Sequence, residues 1–194
     1  MTSCRRDGNN SKAALAALLL PVAVAAQELP AAAICAACHG PGGNATMPAY
    51  PSIAGQPKIF IENQLVLIRE GLRDVPEMKD IVKGMSDETI VALANFFSKA
   101  PVKPATTPTD AAKAKAGADI ADKALCGSCH LPDYRGQNQV PRLAGQNEAF
   151  LNWSLRMFRD NPGPGRDTIM AATLRGMTDA ELANLAHYFA TYRP

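Results

Sequence analysis

An all-α fold built as two tandem lobes is predicted by three features of this chain. The sequence repeats itself at an offset that drifts from 90 to 92 residues, apolar side chains recur at helical steps in both copies, and the apolar–polar alternation typical of strands is almost absent. The repeat is explicit. Pro51-Ser-Ile-Ala-Gly55-Gln56 returns as Pro141-Arg-Leu-Ala-Gly145-Gln146, and Phe60, Ile61, Leu65, Ile68 and Arg69 return as Phe150, Leu151, Leu155, Phe158 and Arg159. Gly84-Met85-Ser86-Asp87 returns as Gly176-Met177-Thr178-Asp179.

The chain opens with Arg5, Arg6 and Lys12, followed by an apolar run from Ala13 to Leu20 that continues through Val22 to Val24. Small residues then lead to Ala26 before the polar Gln27 and Glu28, so residues 1–26 read as a secretory signal peptide, with Val24 and Ala26 suited to the cleavage pockets. That run is too short to span a bilayer comfortably, and no later stretch is long enough. A periplasmic protein without a membrane span in its mature chain is expected; a retained, tethering leader is the alternative. Lobe one is placed at 27–100, a linker rich in proline (Pro101, Pro104, Pro108) at 101–109, and lobe two at 110–194. The linker should be a semi-rigid extended spacer.

Charge follows the same division. Residues 1–26 account for the whole formal charge of +2; residues 27–100 hold six basic and eight acidic residues, and residues 101–194 hold eleven and nine. The lobes thus differ in sign, −2 against +2, and nothing in this balance supports binding to nucleic acid.

Within each lobe the middle helix should bury Ile61, Leu65 and Ile68, or Leu151, Leu155 and Phe158. The closing helix should start at Ser86 or Thr178, where Thr178-Asp-Ala-Glu181 is a capping box. Its buried face is Ile90, Leu93, Ala94 and Phe97 in one lobe and Leu182, Leu185, Ala186 and Phe189 in the other. So small a lobe buries only a modest core, and a covalently tied group is needed to complete it.

Near the start of each lobe stands Cys-x-x-Cys-His, as Cys35-Ala-Ala-Cys38-His39 and Cys126-Gly-Ser-Cys129-His130. On a helix, residues three apart share a face, so both thiols reach the two vinyl groups along one haem edge and the histidine lies under the iron. A bare Cys-x-x-Cys also suits a zinc half-site or a thioredoxin-like pair, but neither requires the histidine that follows both times. Two covalently bound haem c groups are expected, on Cys35 and Cys38 and on Cys126 and Cys129, with His39 and His130 as axial ligands. The fifth cysteine, Cys4, falls in the leader, so none is left for a structural disulfide.

The second axial ligand decides whether such an iron meets small molecules or only passes electrons. Met78 and Met170 occupy equivalent positions, and so do Met85 and Met177, so equivalence does not choose between the pairs. Met78 and Met170 follow Pro76 and Pro162-Gly-Pro-Gly165 in segments that read as loops, where a side chain is free to turn onto iron. Met85 and Met177 directly precede a helix cap, a place for packing. Met47 is too near His39 to cross the ring, Met157 lies in the middle helix, and His187 corresponds to Asn95. Met78 and Met170 are therefore the expected ligands. Arg69, Arg159, Tyr134, Arg135, Arg142 and Trp153 could line haem edges or a docking face, with an arginine bonding a propionate, but solvated charge or packing explains each as well.

With these motifs in this order, the chain resembles the class I cytochromes c, and more narrowly the dihaem cytochrome c4 family of bacteria. The resemblance covers nearly all of the mature chain, including the paired aromatics Phe96-Phe97 and Tyr188-Phe189 of the closing helices. It implies two tandem class I cytochrome c domains related by a pseudo-twofold axis, with haem edges facing across the interface. It also implies that the Pro51 and Pro141 carbonyls accept the histidines' free ring N–H. One departure is that only eight residues of the mature chain precede Cys35, so the opening helix of lobe one should be short.

Histidine and methionine together fill both axial positions, which leaves electron transfer as the role and a high potential as its character. The expected protein is a carrier rather than an enzyme, shuttling electrons from a quinol-oxidising complex to a terminal oxidase or reductase. The alternative is the dihaem subunit of a periplasmic dehydrogenase such as a flavocytochrome c. A peroxidase would need an open iron, and both methionines are present.

Overall fold

The computed structural model describes residues 1–2 and 29–193. The expected leader, apart from its first two residues, lies outside them, as does Cys4. Apart from a bridge between Gln137 and Val140, the described residues are helical or irregular. Lobe one holds α1 (Pro30–His39), α2 (Lys58–Arg69), α3 (Pro76–Val82) and α4 (Asp87–Lys99). Lobe two holds α5 (Ala111–Lys123), α6 (Cys126–His130), α7 (Glu148–Asp160), α8 (Thr168–Leu174) and α9 (Asp179–Thr191).

Two separate apolar cores form, one per repeat. Ile61, Leu65 and Ile68 of α2 meet Ile90, Leu93, Ala94 and Phe97 of α4 in the first. Leu151 and Leu155 of α7 meet Leu182, Leu185, Ala186 and Phe189 of α9 in the second, with Phe158 at its edge. The closing helices start where their caps predict. Ser86 Oγ accepts the Thr89 N–H, and Thr178 and Glu181 form the full reciprocal box. Arg69 and Arg159 reach from the ends of α2 and α7 to the Met85 and Met177 carbonyls at 2.9 and 2.8 Å and to Asp87 and Asp179 at 2.8 and 2.7 Å. These arginines therefore clamp the start of each closing helix.

The lobes differ at their openings. In lobe one the haem motif is continuous with α1, and before Cys35 this helix buries only Ala32. In lobe two Leu125, at φ 55°, breaks the helix between α5 and α6, and α5 lies along α9 as the most extensive helix pairing among the described residues. Gly117 makes that approach possible, because a Cβ there would run into the Asn184 carbonyl and within 2.6 Å of Tyr188 Cβ. Gly117→Ala is expected to destabilise lobe two by about 2 kcal/mol, overpacking outweighing the ~1 kcal/mol that alanine gains in a helix. Thermal unfolding followed at the lobe-two aromatics checks this; a raised midpoint would mean that the helices part freely.

The linker is docked along both lobes. Asn44 bonds the Pro101 carbonyl and the Lys103 N–H at 3.0 and 2.7 Å, and Ala105 N–H donates to the Gly145 carbonyl at 2.9 Å. Arg193 closes over the Ala105 carbonyl at 2.8 Å. Gly55 and Gly145, at φ 63° and 65°, let the chain turn beneath Val102 and Pro104 and donate to the Phe97 and Phe189 carbonyls.

Between the lobes the contact is buried and polar. Gln56 and Gln146 each pair with backbone of the opposite lobe, and Asn147 Nδ2 donates to the Met47 and Tyr50 carbonyls at 3.2 and 2.7 Å.

Candidate haem sites

His39 ends α1 and His130 ends α6, both buried, and the chain turns away immediately at Gly40 (φ 73°) and Leu131 (φ 69°). His39 Nδ1 lies 2.8 Å from the Pro51 carbonyl, and His130 Nδ1 lies 2.8 Å from the Pro141 carbonyl. A carbonyl only accepts, so Nδ1 carries the proton in both rings and Nε2 keeps its lone pair. Burial pushes both imidazole pKa values down, with the carbonyl bond opposing, and the neutral ring is the form that binds a metal. The tautomer and its orientation are those a ligating histidine requires.

One turn before the histidines stand Cys35 and Cys126, while Cys38 and Cys129 directly precede them. Cys35 and Cys126 reach into the edges of the two cores, and burial raises their thiol pKa values. Cys129 is exposed, and none of the four described cysteines is in a disulfide. Among the described residues, no group of three His, Cys, Asp or Glu is arranged to hold a bare metal ion.

The methionine segments correct one expectation. Met78 and Met170 sit in short helices and not in loops, each as the third residue, of α3 and α8 respectively. Pro76 stands at the first position of α3, where its fixed φ starts a helix at no hydrogen-bond cost. Asp167 caps α8, its side chain accepting the Met170 N–H at 2.8 Å. Pro162 to Gly165 lies ahead of that helix. Asp167 is thus a positioning residue that the sequence reading passed over, though Asp three places before Met170 was its signal. Met78 and Met85 both pack against the first core, and Met170 and Met177 against the second.

The other candidates separate clearly. His187 is buried with both ring nitrogens engaged, Nε2 accepting the Asp110 N–H at 2.9 Å and Nδ1 bonded to Glu148 at 3.1 Å. Trp153 is 48% exposed and leans on Phe150. Arg135 is exposed beside Asp133, while Tyr134 lies in the second core among Tyr188, Phe189 and Tyr192.

Arg142 carries the test of fit for a propionate-bearing group. It is 5% exposed, donates to the Ala54 carbonyl of the other lobe at 3.0 Å and to the Ala144 carbonyl, and leaves Nε buried with no acceptor. Among the described residues no carboxylate pairs with it, and burial pushes its pKa down to about 10. A buried cation without a counter-ion is costly, and a carboxylate beside Pro141 would relieve it. With the free Nε2 atoms and the paired thiols, the residues present fit haem c.

Two family models match, one per repeat: "Cytochrome c" over residues 114–192 and "Cytochrome C oxidase, cbb3-type, subunit III" over residues 24–97. Cytochrome c4 of Thiocapsa roseopersicina is 30% identical, the alignment covering 84% of this chain and 89% of that one. This chain belongs to the dihaem cytochrome c4 family. The thiosulfate dehydrogenase electron acceptor of Thiomonas intermedia (strain K12) is 34% identical over 83% of this chain and 79% of its own. The crystal structure of reduced cytochrome c4 from Pseudomonas stutzeri superposes with a TM-score of 0.76 at 28% identity, covering 83% of this chain and 94% of the other. As a cytochrome c4 the protein carries two covalently bound haem c groups, transfers electrons to and from redox protein partners, and is not an enzyme.

Proposed function

We propose that this cytochrome c4 is a periplasmic electron shuttle whose two irons are each held between histidine and methionine. Cys35 and Cys38 with His39 and Met78 form one site; Cys126 and Cys129 with His130 and Met170 form the other. The group supplies a one-electron ferric–ferrous couple. The chain contributes the rest. His39 and His130, oriented by the Pro51 and Pro141 carbonyls, present a fixed Nε2. As the second ligands, the thioethers of Met78 and Met170 would leave no position open to oxygen or peroxide and would favour the ferrous state. The apolar cores exclude water, which favours the less charged, reduced state. The matching pair of histidine–proline bonds is the observation that carries this reading, because it equips both lobes for the same task.

Among the described residues no helix is long and apolar enough to cross a membrane. The donor is proposed to be a quinol-oxidising complex and the acceptor a terminal oxidase. The similarity to a thiosulfate dehydrogenase electron acceptor favours a second reading, in which a dehydrogenase delivers the electrons. Stopped-flow mixing of the oxidised two-haem protein with each donor separates them. The shuttle reading expects rapid reduction by the quinol-oxidising complex and reoxidation by the oxidase; thiosulfate-dependent reduction by the dehydrogenase alone would replace it with the second.

A further inference from the structure

The two amide pairs that join the lobes end on the peptide units that hold the histidines. Gln146 Oε1 accepts the Ser52 N–H at 2.7 Å while its Nε2 donates to the Ser52 carbonyl at 2.9 Å. Gln56 does the same to Arg142, at 2.8 and 3.1 Å. Both glutamines are buried, at 4% and 2% exposure, so these bonds form away from water. The Ser52 N–H and the Pro51 carbonyl are the two ends of one peptide group, as are the Arg142 N–H and the Pro141 carbonyl. A continuous line therefore runs from His39 Nδ1–H through the Pro51–Ser52 peptide to Gln146, and from His130 Nδ1–H through the Pro141–Arg142 peptide to Gln56. Accepting a bond from the N–H end of a peptide polarises its carbonyl and makes it a stronger acceptor at the other end.

Resting on the reading of His39 and His130 as iron ligands, we infer that Gln56 and Gln146 are crossed positioning residues: each lobe's glutamine orients and polarises the acceptor of the opposite lobe's histidine. A stronger acceptor gives the imidazole more anionic character and stabilises ferric iron. Each lobe thereby lowers the potential of the other, and separating the lobes would raise both.

The test uses the full two-haem protein with ¹⁵N-labelled histidine. In Gln56→Leu the lobe-two potential should rise, with a threefold to tenfold change in its ferric-to-ferrous ratio, ~30–60 mV at 59 mV per decade. The His130 Nδ1–H should exchange faster, while the lobe-one potential and the His39 N–H stay as they were. Gln146→Leu should give the mirror image, and it decides the matter if the first variant does not mature. Asn63→Ala, which removes an exposed cross-lobe bond to the Gln139 side chain and touches neither the Pro51–Ser52 nor the Pro141–Arg142 peptide, should move neither potential. A shift in the mutated lobe's own potential, an equal shift in both, or no shift overturns the inference. Absence of two iron-bound histidine N–H signals from the unmutated protein overturns the ligand reading itself, and that outcome is distinct from the others.

Discussion

Met78→Ala and Met170→Ala are each expected to remove about half of the weak red absorption band by which oxidised protein reports methionine sulfur on ferric haem. Each should also open one iron to carbon monoxide and lower its potential by on the order of 0.2 V, a fraction of the ~0.8 V range that axial ligation spans. Met85→Ala and Met177→Ala should leave band, carbon monoxide uptake and potential in place. The two pairs look alike in burial, for all four side chains lie at the edge of a core. They differ in what holds their backbone. Met85 and Met177 have their carbonyls gripped by Arg69 and Arg159 at the start of the closing helices, so these residues are tied into the α2–α4 and α7–α9 packing. Met78 and Met170 stand in the first turn of short helices that run between longer ones, positioned by Pro76 and Asp167. Loss of the band in the Met85 or Met177 variants would transfer the ligand role to that pair.

The closing helices were legible because each of their features is local: a cap, a capping box, and an apolar face at helical steps that becomes fully buried. The methionine segments were misread for an equally local reason. Proline and glycine signal a loop when counted together, yet Pro76 at the first helical position begins α3, and past the Pro162–Gly165 turn Asp167 caps α8. Gly117 gave no such signal. Its partner Asn184 lies in another helix, and an isolated glycine among alanines and lysines says nothing of what approaches it. The cross-lobe amide pairs were hidden in the same way. Gln56 and Gln146 were visible as repeat positions, but their exchange of partners depends on how one lobe faces the other, which no periodicity within a lobe encodes.

Arg142 shows how much that facing matters, and Arg142→Leu is expected to lower the lobe-two potential by about 50–100 mV. That is the size of a Coulomb interaction of roughly 1–2 kcal/mol between partly buried charges. Without a carboxylate nearby, the guanidinium would be a net liability, and replacing it by an apolar side chain would stabilise the protein or leave it unchanged. With a propionate on its orphaned Nε, the same replacement removes a counter-ion and leaves a carboxylate buried and unpaired, which costs stability and favours proton uptake by that carboxylate. The lobe-two potential should then become pH-dependent in the variant over a range where the unmutated protein is flat. Arg142→Lys keeps the charge but not the planar fork that also serves the Ala54 and Ala144 carbonyls, so it should recover part of the potential and little of the cross-lobe bonding. Spectroelectrochemical titration at several pH values reads all of this. An unchanged potential together with unchanged or improved stability would reduce Arg142 to a tie between the lobes and leave the propionate to another partner.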